Sequence, residues 1–496
     1  MLLRGGSAVD AAVAMAAVLV VTEPTGNGLG SDAFAVVADG GDIYGLNASG
    51  PSPLMLPAAR WLDAGQMPRL GWPAVTVPGA VAAWEALHRR WGRLPWKEVL
   101  EPAMRYAEEG FPVAPETARA WKRAAVTYAD LSGGEHAYFL KTFFPGGRAP
   151  AAGDIWRNPD LARSLRRIGD EGVRWFYKGD FADALERFSL ATGGFLRASD
   201  LSGYAPEWTS PLRSSCNGAE VLELPPNGQG IATLLAINIL RQLPLGDHPR
   251  ESVPAYHLQI EAMKLAFADV RTHIGDPSAM RLPLDLLLDE EYARKRARLI
   301  GRDAMNIPVS GFPRGDTVYL AAASGEQSIS YIQSNYMGFG AAVAVPGTGA
   351  ALQNRGAGFV CDPRHPGRVA PGKRPYHTIM PGFLTRKGIP WGPFGLMGGF
   401  MQPQGHLQLA LNMVLYDMNP QAALDAPRWQ IAAGGTQLWL EQGVSQHIAR
   451  GLADRGHPVQ VFAEPAPFGK GQILLREEGV WWAASEPRAD GQAQVC

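Results

Sequence analysis

The sequence predicts a mixed α+β fold in which a helical N-terminal part is followed by a strand-rich C-terminal part. Helical patterns dominate the first two thirds of the 496-residue chain, and strand patterns separated by glycine turns dominate from about Gly315 onward. Glycine (58 residues) and proline (40 residues) are both used above average, which indicates many turns and tightly packed loops. A chain of this length can bury one large layered core or two to three smaller ones.

Composition excludes several kinds of partner. The formal net charge is −1 and the pI is near 6.8, so nothing favours a nucleic acid or an anionic membrane. The three cysteines are far apart and lack CxxC spacing, which argues against a disulfide framework and a structural zinc site. The cysteines are Cys216, Cys361 and Cys496. Their spacing mildly favours a reducing, cytoplasmic setting.

The first apolar segment is predicted to be a buried helix rather than a signal peptide. Ser7 and Asp10 fit a capping box, which satisfies free N–H groups at a helix start. The apolar run 11–21 is well short of the ~20 residues that cross a bilayer. Thr22-Glu23-Pro24 follows it without a small-x-small cleavage pattern.

Further elements follow from periodicity. Apolar spacing predicts helices over 80–91 and 96–109, the second with Pro95 in its first turn, and over 256–271. Short β-branched runs bordered by glycine or proline predict buried strands, and these runs are 34–37, 318–322, 329–332 and 473–475. The polar stretch 305–316 separates the two regimes, and as an exposed loop it would suit proteolytic processing.

Common catalytic motifs are missing. The glycines of segment 26–30 follow a helix and precede a strand, the reverse of a nucleotide-binding loop. Gly469-Lys470 lacks the remaining P-loop residues, and neither GxSxG nor HExxH occurs. The histidines show no ligand-like pairing, so no metal or cofactor is predicted; those considered are His248, His257, His273, His365, His377, His406 and His457.

An ordered set of segments resembles one known family. The segments occur in the family's order along nearly the whole chain; they are GGSAVDAAVAMA (5–16), TEPTGNGLGSDAF (22–34), ELPPNGQGIATL (223–234), GDTVYLA (315–321), IQSNYMGFG (332–340), ALQNRGAGF (351–359), GKRPYHTIMPGF (372–383) and MGGFMQPQGH (397–406). Each motif is weak alone, but the ordered set is specific. The chain therefore resembles the γ-glutamyltranspeptidases, a family of N-terminal nucleophile hydrolases.

The resemblance implies a four-layer αββα sandwich and a precursor that cuts itself before a threonine. The bond would be Asp316–Thr317, which gives a large subunit of residues 1–316 and a small one of residues 317–496 within one intertwined domain. The resemblance also allows a homodimer of the processed pair. Family members usually carry a further strand before the opening helix, so we expect either a truncated start or an unprotected sheet edge.

The chemistry explains the use of a threonine. A free hydroxyl needs a base, and cleavage before Thr317 liberates an α-amine whose pKa of about 7.7–8.0 suits that role. By resemblance, the N–H groups of Gly398 and Gly399 would stabilise the oxyanion. Gln333 and Asn335 match positions that line the family's site, and no catalytic histidine is required.

The substrate anchors depart from those of true γ-glutamyltranspeptidases. Ser49 stands where the family has an arginine, and Gly358 where it has the acidic residue that binds the substrate amine. Arg355 adds a positive charge, and His377-Thr378 replaces a serine pair as the expected substrate-binding residues. His377 is expected to donate to the same substrate anion as Arg355. Because an unpaired ammonium is costly to bury, these changes predict an acyl group that ends in a carboxylate rather than a γ-glutamyl group.

Alternatives remain open at this point. A genuine γ-glutamyltranspeptidase with rearranged anchors would prefer γ-glutamyl amides to glutaryl amides. An unprocessed, inactive relative would act as a binding or scaffold protein. The pattern of the substituted anchors is similar to the branch that includes oxamate amidohydrolase and cephalosporin (glutaryl) acylases, so a small-molecule amide is the expected partner.

Overall fold

The structure, a computed structural model, describes residues 1–306, 316–432, 435, 437–464 and 466–495. Most of its helices lie in the N-terminal two thirds. They are α1 (Ala8–Thr22), α2 (Ala58–Ala64), α3 (Ala80–Trp91), α4 (Trp96–Glu109), α5 (Pro115–Thr127), α6 (Gly134–Phe143), α7 (Pro159–Glu171), α8 (Arg174–Lys178), α9 (Asp180–Ala191), α10 (Ala198–Ser202), α11 (Ile231–Leu240), α12 (Val253–His273), α13 (Leu284–Leu288), α14 (Glu290–Ala297), α15 (Met401–Val414), α16 (Pro420–Asp425) and α17 (Gln446–Asp454).

The strands of the described residues form two large antiparallel sheets and three small ones. They are β1 (Asp32–Asp39), β2 (Asp42–Ala48), β3 (Phe111–Pro112), β4 (Ile155–Trp156), β5 (Glu207–Thr209), β6 (Leu212–Cys216), β7 (Ala219–Glu223), β8 (Asp316–Ser324), β9 (Gln327–Tyr336), β10 (Ala344–Val345), β11 (Ala350–Ala351), β12 (Gly382–Arg386), β13 (Ile389–Met397), β14 (Trp429–Ile431), β15 (Leu438–Glu441), β16 (Val459–Phe462), β17 (Lys470–Glu477) and β18 (Val480–Ser485). The first large sheet has the order β5-β2-β1-β9-β8, and the second has the order β18-β17-β13-β12-β7-β6.

The two large sheets pack face to face between layers of helices. Strands β13 and β17 contact β8, and the apolar layer between the sheets includes Phe34, Tyr319, Ile332 and Phe383. Helix α1 covers the other face of the first sheet, and α11 and α15 cover the outer face of the second. This arrangement confirms the predicted α+β fold and its αββα layering.

The opening segment forms the predicted buried helix. Ser7 Oγ accepts the N–H of Asp10 at 3.0 Å, and the Asp10 carboxylate accepts the N–H of Ser7 at 2.9 Å. This reciprocal pair satisfies two orphan donors and fixes the start of α1. Among the described residues, no helix has the length and apolar character needed to cross a bilayer.

The other periodic segments also fold as predicted. Helix α3 covers 80–91, α4 covers 96–109, and α12 extends the predicted helix by a few residues at each end. Pro95 differs, since it lies before the helix at the N-cap with an extended ψ of 136°. Of the predicted processing loop 305–316, residues 307–315 lie outside the described residues.

Both large sheets take strands from either side of residue 316. In the first sheet β1 pairs with β9, and in the second β7 pairs with β12. A cut before Thr317 would therefore leave two segments joined through both sheets, held by ladder hydrogen bonds and by the apolar layer between them.

Candidate active site

Thr317 lies at an irregularity in the first sheet. Asp316 is the register partner of Tyr336, whereas Val318 is the partner of Gln333, so β9 has one extra residue opposite Thr317. Such a bulge re-aims side chains locally. Thr317 is only 2% exposed, and its hydroxyl donates to Ser334 Oγ at 3.0 Å.

Ser334 joins the threonine to a tyrosine and an arginine. Its Oγ also accepts the N–H of Tyr336 at 2.8 Å, and Tyr336 has a left-handed backbone with φ of 78°. The guanidinium carbon of Arg355 lies 4.0 Å from the centre of the Tyr336 ring. The bulge thus connects the Thr317 hydroxyl to a buried positive charge within a few residues.

Arg355 is an incompletely paired buried cation. It is 1% exposed, and one terminal nitrogen donates to Thr378 Oγ1 at 2.7 Å. Its Nε and second terminal nitrogen have no hydrogen-bond partner among the described residues. Burial lowers the pKa of Arg355 to about 10, so it is still charged at neutral pH. Unsatisfied charged donors are costly in a folded interior and suit a ligand that accepts hydrogen bonds.

Gln229 links this arginine to the tandem glycines. Its Nε2 donates to the carbonyl of Thr378 at 2.5 Å and to that of Gly399 at 2.9 Å. Gly398 and Gly399 join β13 to α15 with φ of 136° and 61°, conformations that favour glycine. Within the described part of the chain, neither glycine's N–H donates to a backbone carbonyl outside the regular helices and strands.

His377 is committed to a carboxylate. Its Nε2 lies 3.0 Å from Asp32 Oδ2, and its Nδ1 accepts the N–H of Ile379 at 3.4 Å. Burial, and then the nearby charge of Arg355, hold the pKa of His377 well below its usual range. The neutral ring therefore donates to Asp32, and the predicted donation from His377 to a substrate anion is not what the structure shows.

Gln333 lies on the opposite face of β9 from the Thr317 hydroxyl. Its Oε1 accepts from the indole of Trp84 at 3.1 Å and from the Tyr331 hydroxyl at 2.8 Å. Its Nε2 donates to Asn27 Oδ1 and to a carbonyl of α1. The prediction that Gln333 binds substrate is therefore not supported, because side chains alternate along a strand and Ser334 is the residue that faces Thr317.

Asn335 lies close to Thr317. Its Oδ1 accepts from the Ser31 hydroxyl at 2.9 Å, and its N–H donates to the carbonyl of Gly26 at 3.0 Å. Its buried Nδ2 has no partner among the described residues, which leaves one donor for a ligand. Gly26 passes so close to Thr317 that a Cβ there would lie 3.2 Å from the Thr317 nitrogen.

The anchor positions that lack the family residues are filled by neutral groups. Ser49 donates to Asn47 at 2.7 Å and to Asn227 at 3.2 Å, and it is fully buried. A Cβ on Gly358 would lie 3.0 Å from the carbonyl of Tyr376, so an acidic side chain there would require a shift. Neither position offers a charge to an amino-acid substrate.

Sequence reasoning missed four contributors to the site: Asp32, Gln229, Ser334 and Tyr336. Asp32 stands in the SDAF segment and Gln229 in the NGQG segment, so both motifs were visible, but no local pattern shows their distant partners. Tyr336 is a buried residue whose ring lies against the Arg355 guanidinium.

Two histidines that are far apart in the sequence lie together in the structure. His257 Nδ1 and His457 Nε2 are 2.8 Å apart, and Glu261 joins them in a buried group whose ligand atoms lie within 4.8 Å of one another. Lys264 Nζ lies 2.7 Å from the Glu261 carboxylate. This ammonium already balances the carboxylate and opposes a further cation, so the group forms a cross-link between α12 and the segment before Met305.

Known proteins are similar to this chain over most of their length. The family model described as Gamma-glutamyltranspeptidase matches residues 1–496. The "Glutathione hydrolase-like YwrD proenzyme" of Bacillus subtilis is 35% identical, with 99% of this chain and 94% of the relative covered. The "Oxamate amidohydrolase proenzyme" of Klebsiella pneumoniae is 32% identical, with the same coverage of each chain.

A solved structure is also similar. The cephalosporin acylase of Bacillus halodurans superposes with a TM-score of 0.94 at 46% identity, and the match covers 99% of this chain and 92% of that one. The αββα fold and the buried threonine site define the class: this protein is an N-terminal nucleophile hydrolase. Within that class the chain belongs to the γ-glutamyltranspeptidase family, as its ordered motifs predicted.

Proposed function

We propose that the protein cuts itself between Asp316 and Thr317, and that the new N-terminal threonine hydrolyses amides whose acyl group ends in a carboxylate. The observation that carries this proposal is Arg355, a buried guanidinium with two nitrogens unpaired within the described chain. It is connected to Thr317 through Tyr336 and Ser334. A carboxylate can accept from such a fork in a bidentate geometry.

Self-cleavage requires a proton acceptor other than the α-amine. In the uncut chain the Thr317 nitrogen is an amide and has no useful basicity, so the hydroxyl depends on its surroundings. Ser334 Oγ is its hydrogen-bond acceptor. Attack of the hydroxyl oxygen on the carbonyl carbon of Asp316 would form an ester and break the peptide bond, and the hydroxyl proton would pass to the departing nitrogen, which becomes the free Thr317 amine. Water would then hydrolyse the ester, releasing the α-carboxylate of Asp316 and regenerating the Thr317 hydroxyl.

Amide hydrolysis would reuse the same oxygen. The Thr317 amine would accept the hydroxyl proton while the oxygen attacks the substrate carbonyl, and the N–H groups of Gly398 and Gly399 would stabilise the oxyanion. The amine product leaves with the proton, and water hydrolyses the acyl ester. Arg355 and Thr378 would bind the acyl carboxylate, and Asn335 Nδ2 would donate beside the reacting centre.

The substrate class follows from charge. A γ-glutamyl group brings an ammonium that would need a carboxylate partner, and burying it unpaired costs several kcal/mol. Asp32, the carboxylate near Arg355, is already held by His377. A dicarboxylic acyl group such as glutaryl lacks the ammonium and therefore fits better.

Electrophoresis with N-terminal sequencing tests self-cleavage. We expect two chains, the smaller beginning Thr-Val-Tyr-Leu, and a single intact 53.3 kDa chain for Thr317→Ala. Thr317→Ser keeps a hydroxyl and should still be processed. Amide turnover by an intact Thr317→Ala chain would overturn the proposal.

A pair of chromogenic amides tests the substrate class. We expect kcat/KM for a glutaryl anilide to exceed that for the γ-glutamyl anilide by about 100-fold or more, the equivalent of roughly 3 kcal/mol. The reverse preference would indicate a γ-glutamyltranspeptidase with rearranged anchors.

A further inference from the structure

A buried carboxylate lies next to the proposed carboxylate site. Asp32 is the first residue of β1 and the register partner of Ser334, so the two side chains are neighbours across the sheet. Asp32 is fully buried. Its Oδ2 accepts from His377 Nε2 at 3.0 Å, and its Oδ1 accepts from the N–H of Gly50 at 3.3 Å.

His377 is itself held in one orientation. Its N–H donates to the carbonyl of Asn227 at 2.9 Å, and its carbonyl accepts the N–H of Gln229 at 3.0 Å. The Phe34 ring lies 4.7 Å from the imidazole. Because Nδ1 accepts from Ile379, the single ring proton is on Nε2 and points at Asp32. His377 is therefore neutral, and its role is to hold the carboxylate.

The side chains of Asp32 and Arg355 are not in contact, but they bind residues that are neighbours in the chain. The carboxylate binds His377 and the guanidinium binds Thr378. No carboxylate of the described chain forms an ion pair within 4.0 Å of Arg355, and two of its nitrogens stay unpaired. Asp32 thus supplies negative charge at a distance and leaves the donors of Arg355 free.

We propose that Asp32, positioned by His377, balances the charge of the substrate site: it is the countercharge of Arg355 in the empty site and takes up one proton when a substrate carboxylate binds. This inference rests on the proposed function, because it assumes that Arg355 binds the acyl carboxylate. The charges and the proton balance. The substrate carboxylate forms an ion pair with the Arg355 guanidinium, and one proton from solvent converts the Asp32 carboxylate to a neutral carboxylic acid.

The electrostatics of Asp32 make it the group that takes the proton. Burial raises the pKa of Asp32 to about 7, and the charge of Arg355 is the largest opposing influence. A bound carboxylate would neutralise that charge, and the pKa of Asp32 would rise further. The other groups that face Asp32 are His377, Tyr177, Tyr204 and Arg374. His377 is neutral, and burial raises the pKa values of Tyr177 and Tyr204 above their ordinary value. Arg374 forms an ion pair with Glu207. After cleavage the Thr317 amine also titrates in this range.

Binding of glutarate, a product-like dicarboxylate, tests the inference in the processed enzyme. Isothermal titration calorimetry in buffers of different ionisation enthalpy counts the protons taken up, and repeating it between pH 7 and 9 gives the pH dependence of Kd. In the wild type we expect about one proton per glutarate near pH 8, and a Kd that rises about tenfold per pH unit above 7. Asp32→Asn keeps the shape and the contact with His377 but cannot take the proton.

Two variants separate the outcomes. For Asp32→Asn we expect proton uptake to be lost and Kd to depend little on pH, with only the amine of Thr317 contributing. Glu223→Gln is a matched control, because Glu223 is also fully buried and paired with a histidine, His406, at 2.6 Å; its proton uptake should equal that of the wild type. Glutarate binding without proton uptake in the wild type, or unchanged uptake in Asp32→Asn, would overturn the inference. Failure of glutarate to bind at all would instead refute the anchor role of Arg355.

Discussion

Replacing Arg355 by methionine should separate ligand binding from stability. Burial lowers the pKa of Arg355 to about 10 from an ordinary value of 12.5. At 1.36 kcal/mol per pKa unit, keeping this charge in the folded protein at neutral pH costs about 3 kcal/mol. Its hydrogen bond to Thr378 returns roughly 2–3 kcal/mol. The net effect of removing it is therefore near zero, within about 1 kcal/mol.

The same substitution, Arg355→Met, should strongly weaken the binding of glutarate. A carboxylate that loses charge-assisted hydrogen bonds to Arg355 loses about 3 kcal/mol, so Kd for glutarate should rise about 100-fold. Calorimetry measures that Kd, and urea denaturation followed by tryptophan fluorescence measures the free energy of unfolding. Methionine fills a similar volume, so neither result would reflect a large cavity.

Arg428 provides the matched comparison. It is 2% exposed, but its terminal nitrogens donate to the carbonyls of Phe468, Gly469 and Leu424 and to the carboxylate of Glu486. Arg428→Met should lower the free energy of unfolding by about 3–5 kcal/mol, because it leaves buried acceptors and a charge unpaired. If Arg355→Met is destabilised to the same extent and still binds glutarate normally, Arg355 is a structural arginine and our reasoning is wrong.

Two further predictions concern self-cleavage, measured as the disappearance of the intact chain on denaturing gels. Ser334→Ala removes the acceptor of the Thr317 hydroxyl and should slow cleavage about 10- to 100-fold, the equivalent of about 1–3 kcal/mol, whereas Ser334→Thr should restore it. An unchanged rate for the alanine variant would refute the role of this oxygen. Gly26→Ala adds a Cβ 3.2 Å from the Thr317 nitrogen and should slow cleavage by displacing the scissile peptide. Gly301→Ala, where a Cβ meets nothing within 4 Å, is its control, and equal rates for the two would show that the contact with Gly26 does not matter.

Local sequence predicted the elements well because their causes are local. The capping box of Ser7 and Asp10 fixes α1 within one turn, and the apolar spacing of 80–91 fixes α3. Catalytic roles for Thr317 and for the glycine pair were predicted too, but by resemblance to a family rather than by residue physics. Thr317 lies in β8 and the glycine pair lies before α15, and Thr317→Ala tests the role of the threonine.

The site's neighbours could not be predicted in the same way. Gln333 was expected beside Thr317, but a one-residue bulge decides which side of β9 faces the nucleophile, and Ser334 takes that position. A strand's two faces exchange when its register shifts by one residue, and sequence alone does not reveal the shift.

The sequence by itself determined the family, the layered fold and the residue before which the chain is expected to be cut, because ordered motifs and local periodicity carry that information. Only the tertiary structure decided the charge arrangement of the pocket. It joins Asp32 to His377 across 345 positions of the chain, while it leaves two nitrogens of Arg355 unpaired. The physical reason is that a charge's partners are set by where the sheets and loops meet, and electrostatic energies depend on those distances and on burial rather than on separation along the chain.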